Sequence, residues 1–180
     1  MFIHGEVGFR PIESRDLELV RTMHNDASTL LQLGDPTLVS PAQQEAWYGD
    51  MQQRRCDVTF LVCRVPSGEP VGVWRLQNLD AINRICEVGV DIFPAHRRQG
   101  LGLKTYQMLL TYLFDHYNIH MVYLRVADFN DGAVELYRRA GFHETGRLVS
   151  SIYRHGRRWD TMIMCLTRDE FQAHRPAGTP

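Results

Sequence analysis

The sequence holds no run of about 20 apolar residues, the length a helix needs to cross a bilayer, so no membrane span is expected. Met1 to Arg10 lack both the basic start and the apolar centre of a signal peptide. Charge of one sign is missing too. The 20 Lys+Arg against 21 Asp+Glu leave a net charge of -1, which gives neither a basic face for nucleic acid nor a broad acidic groove. Cysteine is scarce: Cys56, Cys63, Cys86 and Cys165 are far apart, with no CxxC pair. Three of them fall in apolar, strand-like runs, which reads as reduced thiols in a cytoplasmic protein rather than a disulfide frame or a zinc site. His24, His96, His116, His120 and His143 show no HExxH spacing, so no metal and no catalytic histidine are expected. Repeats and linkers are absent. A chain of 180 residues suits one α/β domain, taken as 1–172, with a Pro/Gly-rich tail at 173–180 expected to be disordered.

What is present alternates strand and helix patterns. Val7 to Pro11 reads as a strand, followed by a helix through Leu17, Val20, Met23 and His24 with Ser14 as its cap. Gly34-Asp35-Pro36 breaks the pattern, and Ser40-Pro41 opens a second helix carrying Trp47 and Tyr48. Strands are predicted over Asp57 to Val65, Val71 to Leu79 and Arg84 to Phe93, the first two joined by the turn Pro66-Ser67-Gly68-Glu69. A helix from Leu101 to Tyr117 places Leu103, Tyr106, Leu109, Leu110, Leu113 and Phe114 on one face. Met121 to Ala127 is the next strand, Asp131 to Ala140 a short helix, and Glu144 to Tyr153 with Arg158 to Leu166 a closing hairpin. This order predicts an α/β fold, a mixed sheet with helices packed on it.

The informative turn is Arg97-Arg98-Gln99-Gly100-Leu101-Gly102, between a strand and a long helix. Two glycines and basic neighbours at a helix N-terminus make a backbone nest for a phosphate. It is not a dinucleotide fingerprint, because it follows the fourth predicted strand and the third glycine is missing. Nor is it a Walker loop: Gly102-Leu103-Lys104 lacks that spacing, and a nucleotide-dependent kinase is set aside with it.

Taken together with Glu87-Val88-Gly89-Val90-Asp91-Ile92, Asn130 and Tyr137-Arg138-Arg139-Ala140-Gly141-Phe142, the turn resembles the GCN5-related N-acetyltransferase (GNAT) family. The family's Gln/Arg-x-x-Gly-x-Gly/Ala motif is matched at every defined position. The branch with ribosomal-protein alanine, spermidine and amino-sugar acetyltransferases looks closest. The resemblance implies acetyl-CoA as cofactor and a sheet splayed between the fourth and fifth predicted strands. It implies that amides from Arg98 to Lys104, with Gln99, Gly100, Leu101, Gly102 and Leu103, bind the pyrophosphate, and that Arg97 or Arg98 reaches a phosphate or faces solvent. Val90, Asp91 and Ile92 would offer backbone groups to the pantetheine arm, with Asn130 and Ala133 beside it. Glu87 would be the general base, directly or through water, or a salt-bridged strand residue. Tyr137 would protonate or hydrogen-bond the departing thiolate, or pack between helix and sheet.

The acceptor site is less defined. By analogy Trp47, Tyr48, Trp74, Glu87 and Asp160 are its candidates, the aromatics serving the core as an alternative and Asp160 organising the hairpin as another. The implied activity is acetyl transfer to a small-molecule amine or amino sugar. Acetylation of a peptide N-terminus and a non-catalytic acyl-CoA-binding module are the competing readings. No nucleic acid or membrane partner is expected, and a homodimer is the assembly relatives suggest.

Overall fold

A computed structural model describes residues 1–54 and 56–173. Eight strands form one sheet: β1 (Phe2–His4), β2 (Val7–Pro11), β3 (Val58–Arg64), β4 (Pro70–Asp80), β5 (Ile85–Ile92), β6 (Met121–Ala127), β7 (His143–Arg154) and β8 (Arg157–Thr167), in the spatial order β1-β2-β3-β4-β5-β6-β8-β7. β1 is additional to the expected strands, a short edge paired to β2 through Phe2↔Phe9. Every neighbour pair is antiparallel except β5–β6. Those two are parallel because the chain returns between them through a helix, the only route that lets consecutive strands run the same way.

That crossover is α4 (Leu101–Thr111), which relaxes into a wider π-helical turn at Tyr112–His116 instead of running straight to Tyr117 as expected. Its Tyr106, Met108, Leu109 and Leu110 are buried against Val62, Trp74, Cys86 and Val122 on one face of the sheet. Across the sheet, α1 (Leu17–Asn25) and α3 (Pro41–Gln53) bury Val20, Met23 and Met51 against Leu61, Val73 and Phe93. Ser40 caps α3 as expected: its hydroxyl accepts from the Gln43 amide while the Gln43 side chain accepts from the Ser40 amide. Ser14 is not the cap of α1. It lies inside a short 3-10 turn, Ser14–Asp16, where Glu13 and Asp16 exchange capping bonds. Asp16 in turn accepts from Arg10 at 2.7 and 2.9 Å, which holds its carboxyl below the usual range.

Two small helices were not legible in the hydrophobic pattern: α2 (Ala27–Leu30) and α6 (Arg168–Ala173). Between them lies α5 (Asp131–Arg139). Ala173 therefore ends a helix rather than starting the tail, and the rest of the expected tail lies outside the described residues. Cys63, Cys86 and Cys165 are buried free thiols, and burial pushes Cys86 up to about 12; Cys56 is exposed. No helix among the described residues is long and apolar enough to cross a membrane.

Candidate active site

The parallel pairing of β5 and β6 lasts for three residue pairs, Ile85↔Met121 to Glu87↔Tyr123. Beyond Glu87 the strands part. β5 continues to Ile92 on the β4 side, and β6 to Ala127 on the β8 side. The sheet therefore opens beside Val88–Ile92 into a cleft of about 910 Å³, walled by β5, the end of β6, the turn before α4, and α5. This is the split expected one strand earlier in the count, the shift coming from β1.

At the mouth of the cleft, Arg98 (φ 59°) and Gly100 (φ 75°) both adopt the left-handed conformation, which turns successive amides toward one point. Gly100 has open space where a side chain would stand and tolerates that φ without strain. Gly102 serves a different end: a Cβ there would meet Leu136 Cδ2 at 3.0 Å, so it lets α4 pack on α5. The amides of Leu101, Gly102 and Leu103 have no backbone acceptor among the described residues, whereas that of Lys104 donates to Gly100 at 3.3 Å. Three free donors at a helix N-terminus suit a diphosphate.

The side chains of this turn separate in role. Arg98 lines the cleft and has no ion pair among the described residues. Arg97 is consumed internally, donating to Ile92 O at 3.0 Å, Ser28 Oγ at 2.7 Å and Thr29 Oγ1, so it ties α2 to the end of β5. Gln99 turns away to Arg64 and Ala95, and Lys104 pairs with Glu6. The expected side-chain contacts to phosphate therefore reduce to Arg98, joined by Arg139, which also lines the cleft beside the amides that open α4.

Glu87, 8% exposed, sits at the fork. Arg125 on β6 donates to it through Nε at 2.8 Å and Nη2 at 3.1 Å, and Asn78 through Nδ2 at 2.8 Å. Asn78 reaches it because β4 slips register between Gln77 and Asp80, a bulge that re-aims the side chain. Both carboxylate oxygens are thus engaged, as burial of a charge requires. Asp91 is likewise paired, with Arg75 on β4. Neither arginine was anticipated. The signal available was a lone arginine inside an otherwise apolar strand, at Trp74-Arg75-Leu76 and Leu124-Arg125-Val126.

Asn130 caps α5, its Oδ1 accepting from Ala133 N at 3.2 Å, and both residues line the cleft. One helical turn further, Tyr137 faces the same space with its ring 5.4 Å from that of Tyr106. Burial, reinforced by the Asp91 charge, raises the Tyr137 phenol to about 12, so it holds its proton throughout the neutral and alkaline range.

The aromatic acceptor candidates part company. Trp74 is 0% exposed, stacked on Phe60 at 4.5 Å and edge-on to Phe9, hence a core residue. Tyr48 turns inward toward the second core and donates to Ile12 O at 3.4 Å. Asp160 accepts from the Ser150 amide at 2.9 Å and faces Arg147 at 3.7 Å, securing the irregular β7–β8 hairpin, whose Leu148, Ser151, Ile152 and Thr161 line the cleft although Asp160 does not. Trp47, 37% exposed, does line a cavity, though a different one. This second space of about 410 Å³ lies between α3, β3 and β4, with Asp50, Arg54, Asp57, Thr59 and Gln77 around it, Arg54 facing Asp57 at 3.8 Å. Arg75 borders both spaces. No cluster of three or more His, Cys, Asp or Glu able to hold a metal occurs among the described residues.

Known proteins share this arrangement. The family model described as "Acetyltransferase (GNAT) domain" matches residues 6–143. The spermidine N(1)-acetyltransferase of Escherichia coli is 25% identical over 174 residues, spanning 96% of this chain and 92% of the relative. That of Vibrio cholerae is 25% identical over 169 residues, spanning 94% and 97%. The crystal structure of spermidine N-acetyltransferase from Vibrio cholerae in complex with CoA and spermine superposes with a TM-score of 0.87 at 26% identity, over 94% of this chain and 99% of that one. With a split sheet, a free-amide turn and a family match over most of its length, the chain belongs to the GNAT family and is an acetyl-CoA-dependent N-acetyltransferase.

Proposed function

We propose that the acceptor is a polyamine of the spermidine type, acetylated on a primary amine. The observation that carries this reading is the near-complete superposition on a relative whose structure holds CoA and spermine. The second cavity offers such a chain the Trp47 indole and the Asp50 carboxylate, while Asp57 is shared with Arg54 at 3.8 Å.

In this reading the amides of Leu101, Gly102 and Leu103, with Arg98 and Arg139, hold the diphosphate of acetyl-CoA, and Val90, Asp91 and Asn130 flank its pantetheine arm. The carrier supplies an activated acetyl group as a thioester. The amine lone pair forms the new C–N bond, the C–S bond breaks, and the ammonium proton passes to water. Tyr137 donates a hydrogen bond to the departing sulfur. A phenol near 12 beside a thiol of about 8.5 disfavours complete transfer, so the hydrogen bond carries the stabilisation and solvent completes the protonation. Glu87 was expected as general base. With three donors on its two oxygens, we assign it instead to positioning Arg125 and the fork, and the amine loses its proton through water.

Self-association belongs to the same proposal. A Vibrio cholerae relative has a dodecameric structure, and assembly beyond the expected homodimer is inferred for this chain. A cytoplasmic setting is inferred from the free, buried thiols.

Thiol release from acetyl-CoA, measured with spermidine, spermine, glucosamine and an alanine-initiated peptide, tests the assignment. Spermidine or spermine should lead in kcat/KM by at least about tenfold, a margin of roughly 1.4 kcal/mol in transition-state binding. Preference for the sugar or peptide would overturn the polyamine assignment, and CoA binding with no turnover on any amine would favour a binding module.

A further inference from the structure

Among the described residues Arg75 alone borders both cavities. It rises from β4 opposite Gly89, two residues beyond the last β5–β6 pair, so its neighbour is the stretch of β5 that edges the split. A Cβ on Gly89 would lie 3.0 Å from Arg75 Nη2 and 3.4 Å from Nε. The missing side chain is therefore what lets the guanidinium lie across β5 toward the opening. Nη1 is anchored by Asp91, while Nε and Nη2 have no acceptor among the described residues and the side chain is 29% exposed.

A planar cation anchored at one corner, with two donors unused at the edge of a partly closed space, is preorganised for an oxygen that gains negative charge. We propose that Arg75 supplies side-chain donors to the acetyl oxygen during transfer. As the nucleophile's lone pair enters the carbonyl carbon, the C=O π pair moves onto that oxygen and meets Nε or Nη2. On collapse the pair returns, the C–S bond breaks and the sulfur leaves as thiolate beside Tyr137. Asp91 keeps the guanidinium in place and charged. The other ionisable groups around this point are Tyr137 on α5, Tyr106 on α4, and the Glu87–Arg125 pair at the fork. This rests on acetyl transfer in the cleft and is independent of the polyamine assignment.

The test uses the full chain with Arg75→Met, Arg75→Lys and Gly89→Ala. Three quantities are read: kcat and KM with the best amine, acetyl-CoA hydrolysis without amine, and CoA affinity by calorimetry. Hydrolysis passes through the same charged oxygen with water as nucleophile, so it needs no knowledge of the acceptor. Arg75→Met should lower kcat and hydrolysis together by about 100- to 1,000-fold, the range for loss of an oxyanion donor, with CoA affinity little changed. Arg75→Lys should recover part of the loss, and Gly89→Ala, which displaces the guanidinium without removing it, should fall between wild type and Arg75→Met. Unchanged hydrolysis with a loss confined to acceptor KM would overturn the proposal and make Arg75 an acceptor-binding residue. A kcat for Gly89→Ala and Arg75→Lys equal to wild type would also overturn it, and serves if Arg75→Met does not fold. Loss of hydrolysis in Arg75→Met together with rejection of polyamines by wild type would keep the proposal and remove the polyamine assignment.

Discussion

The carrier side and the acceptor side of this site are built from different materials. The carrier side is main chain: three free amides at the start of α4, two left-handed residues and the unpaired stretch of β5. The proposed acceptor side is side chain: Trp47 and Asp50 from α3, Arg54 and Asp57 after it, Arg75 from β4. A main-chain cradle tolerates exchange of most side chains around it, provided that the backbone keeps its conformation. A side-chain cavity changes its preference with single substitutions. A shared carrier and varied acceptors therefore fit on one scaffold.

Perturbations on the two sides should separate accordingly. Beside the Arg75 variants, the largest effect is expected from Tyr137→Phe, where the sides meet: kcat should fall by about 100-fold with acetyl-CoA KM little changed. Because burial keeps the Tyr137 proton until about pH 12, the wild-type rate should rise as the amine deprotonates and show no alkaline fall owing to this phenol. A Tyr137-dependent fall near pH 9 in the rate profile would contradict that environment. Gly100→Ala comes next. Space is free there, so the loss is conformational, about 1–2 kcal/mol for a left-handed residue, and should appear as roughly tenfold weaker CoA binding with acceptor KM preserved. Smaller still, Trp47→Ala should raise polyamine KM about threefold, the size of an exposed cation–π contact, and leave CoA affinity alone. If Trp47→Ala weakened CoA as much as the amine, the division between the sides would fail. Gln99→Ala should do least, since its side chain faces Arg64 and not the cleft.

The same division explains what could be read in the sequence. The turn is contiguous, so Gly100 and its neighbours announce themselves within six residues, and the strands that follow are placed almost to the residue: Met121 to Ala127 matches β6 at both ends. Local spacing could not show that Arg97 is occupied by α2, because Ser28 and Thr29 lie nearly seventy positions away and join it only in the fold. Core and cavity stayed open for Trp74 and Tyr48 for a related reason. An aromatic in a strand or amphipathic helix looks alike whether it faces a core or a cavity, and only the packing of Phe9 and Phe60 decides for Trp74. Arg75 and Arg125 carried a usable signal, a charge inside an apolar strand, whose partners Asp91 and Glu87 lie on neighbouring strands.

Carrier binding depends, in the proposed reading, on the free amides that begin α4. Backbone amide chemical shifts recorded by NMR as CoA is added report on them directly. Leu101, Gly102 and Leu103 should show the largest displacements, with Arg98 and Gly100 beside them and Lys104, already bonded to Gly100, moving less. Saturable CoA binding that leaves those three amides where they were would contradict that reading.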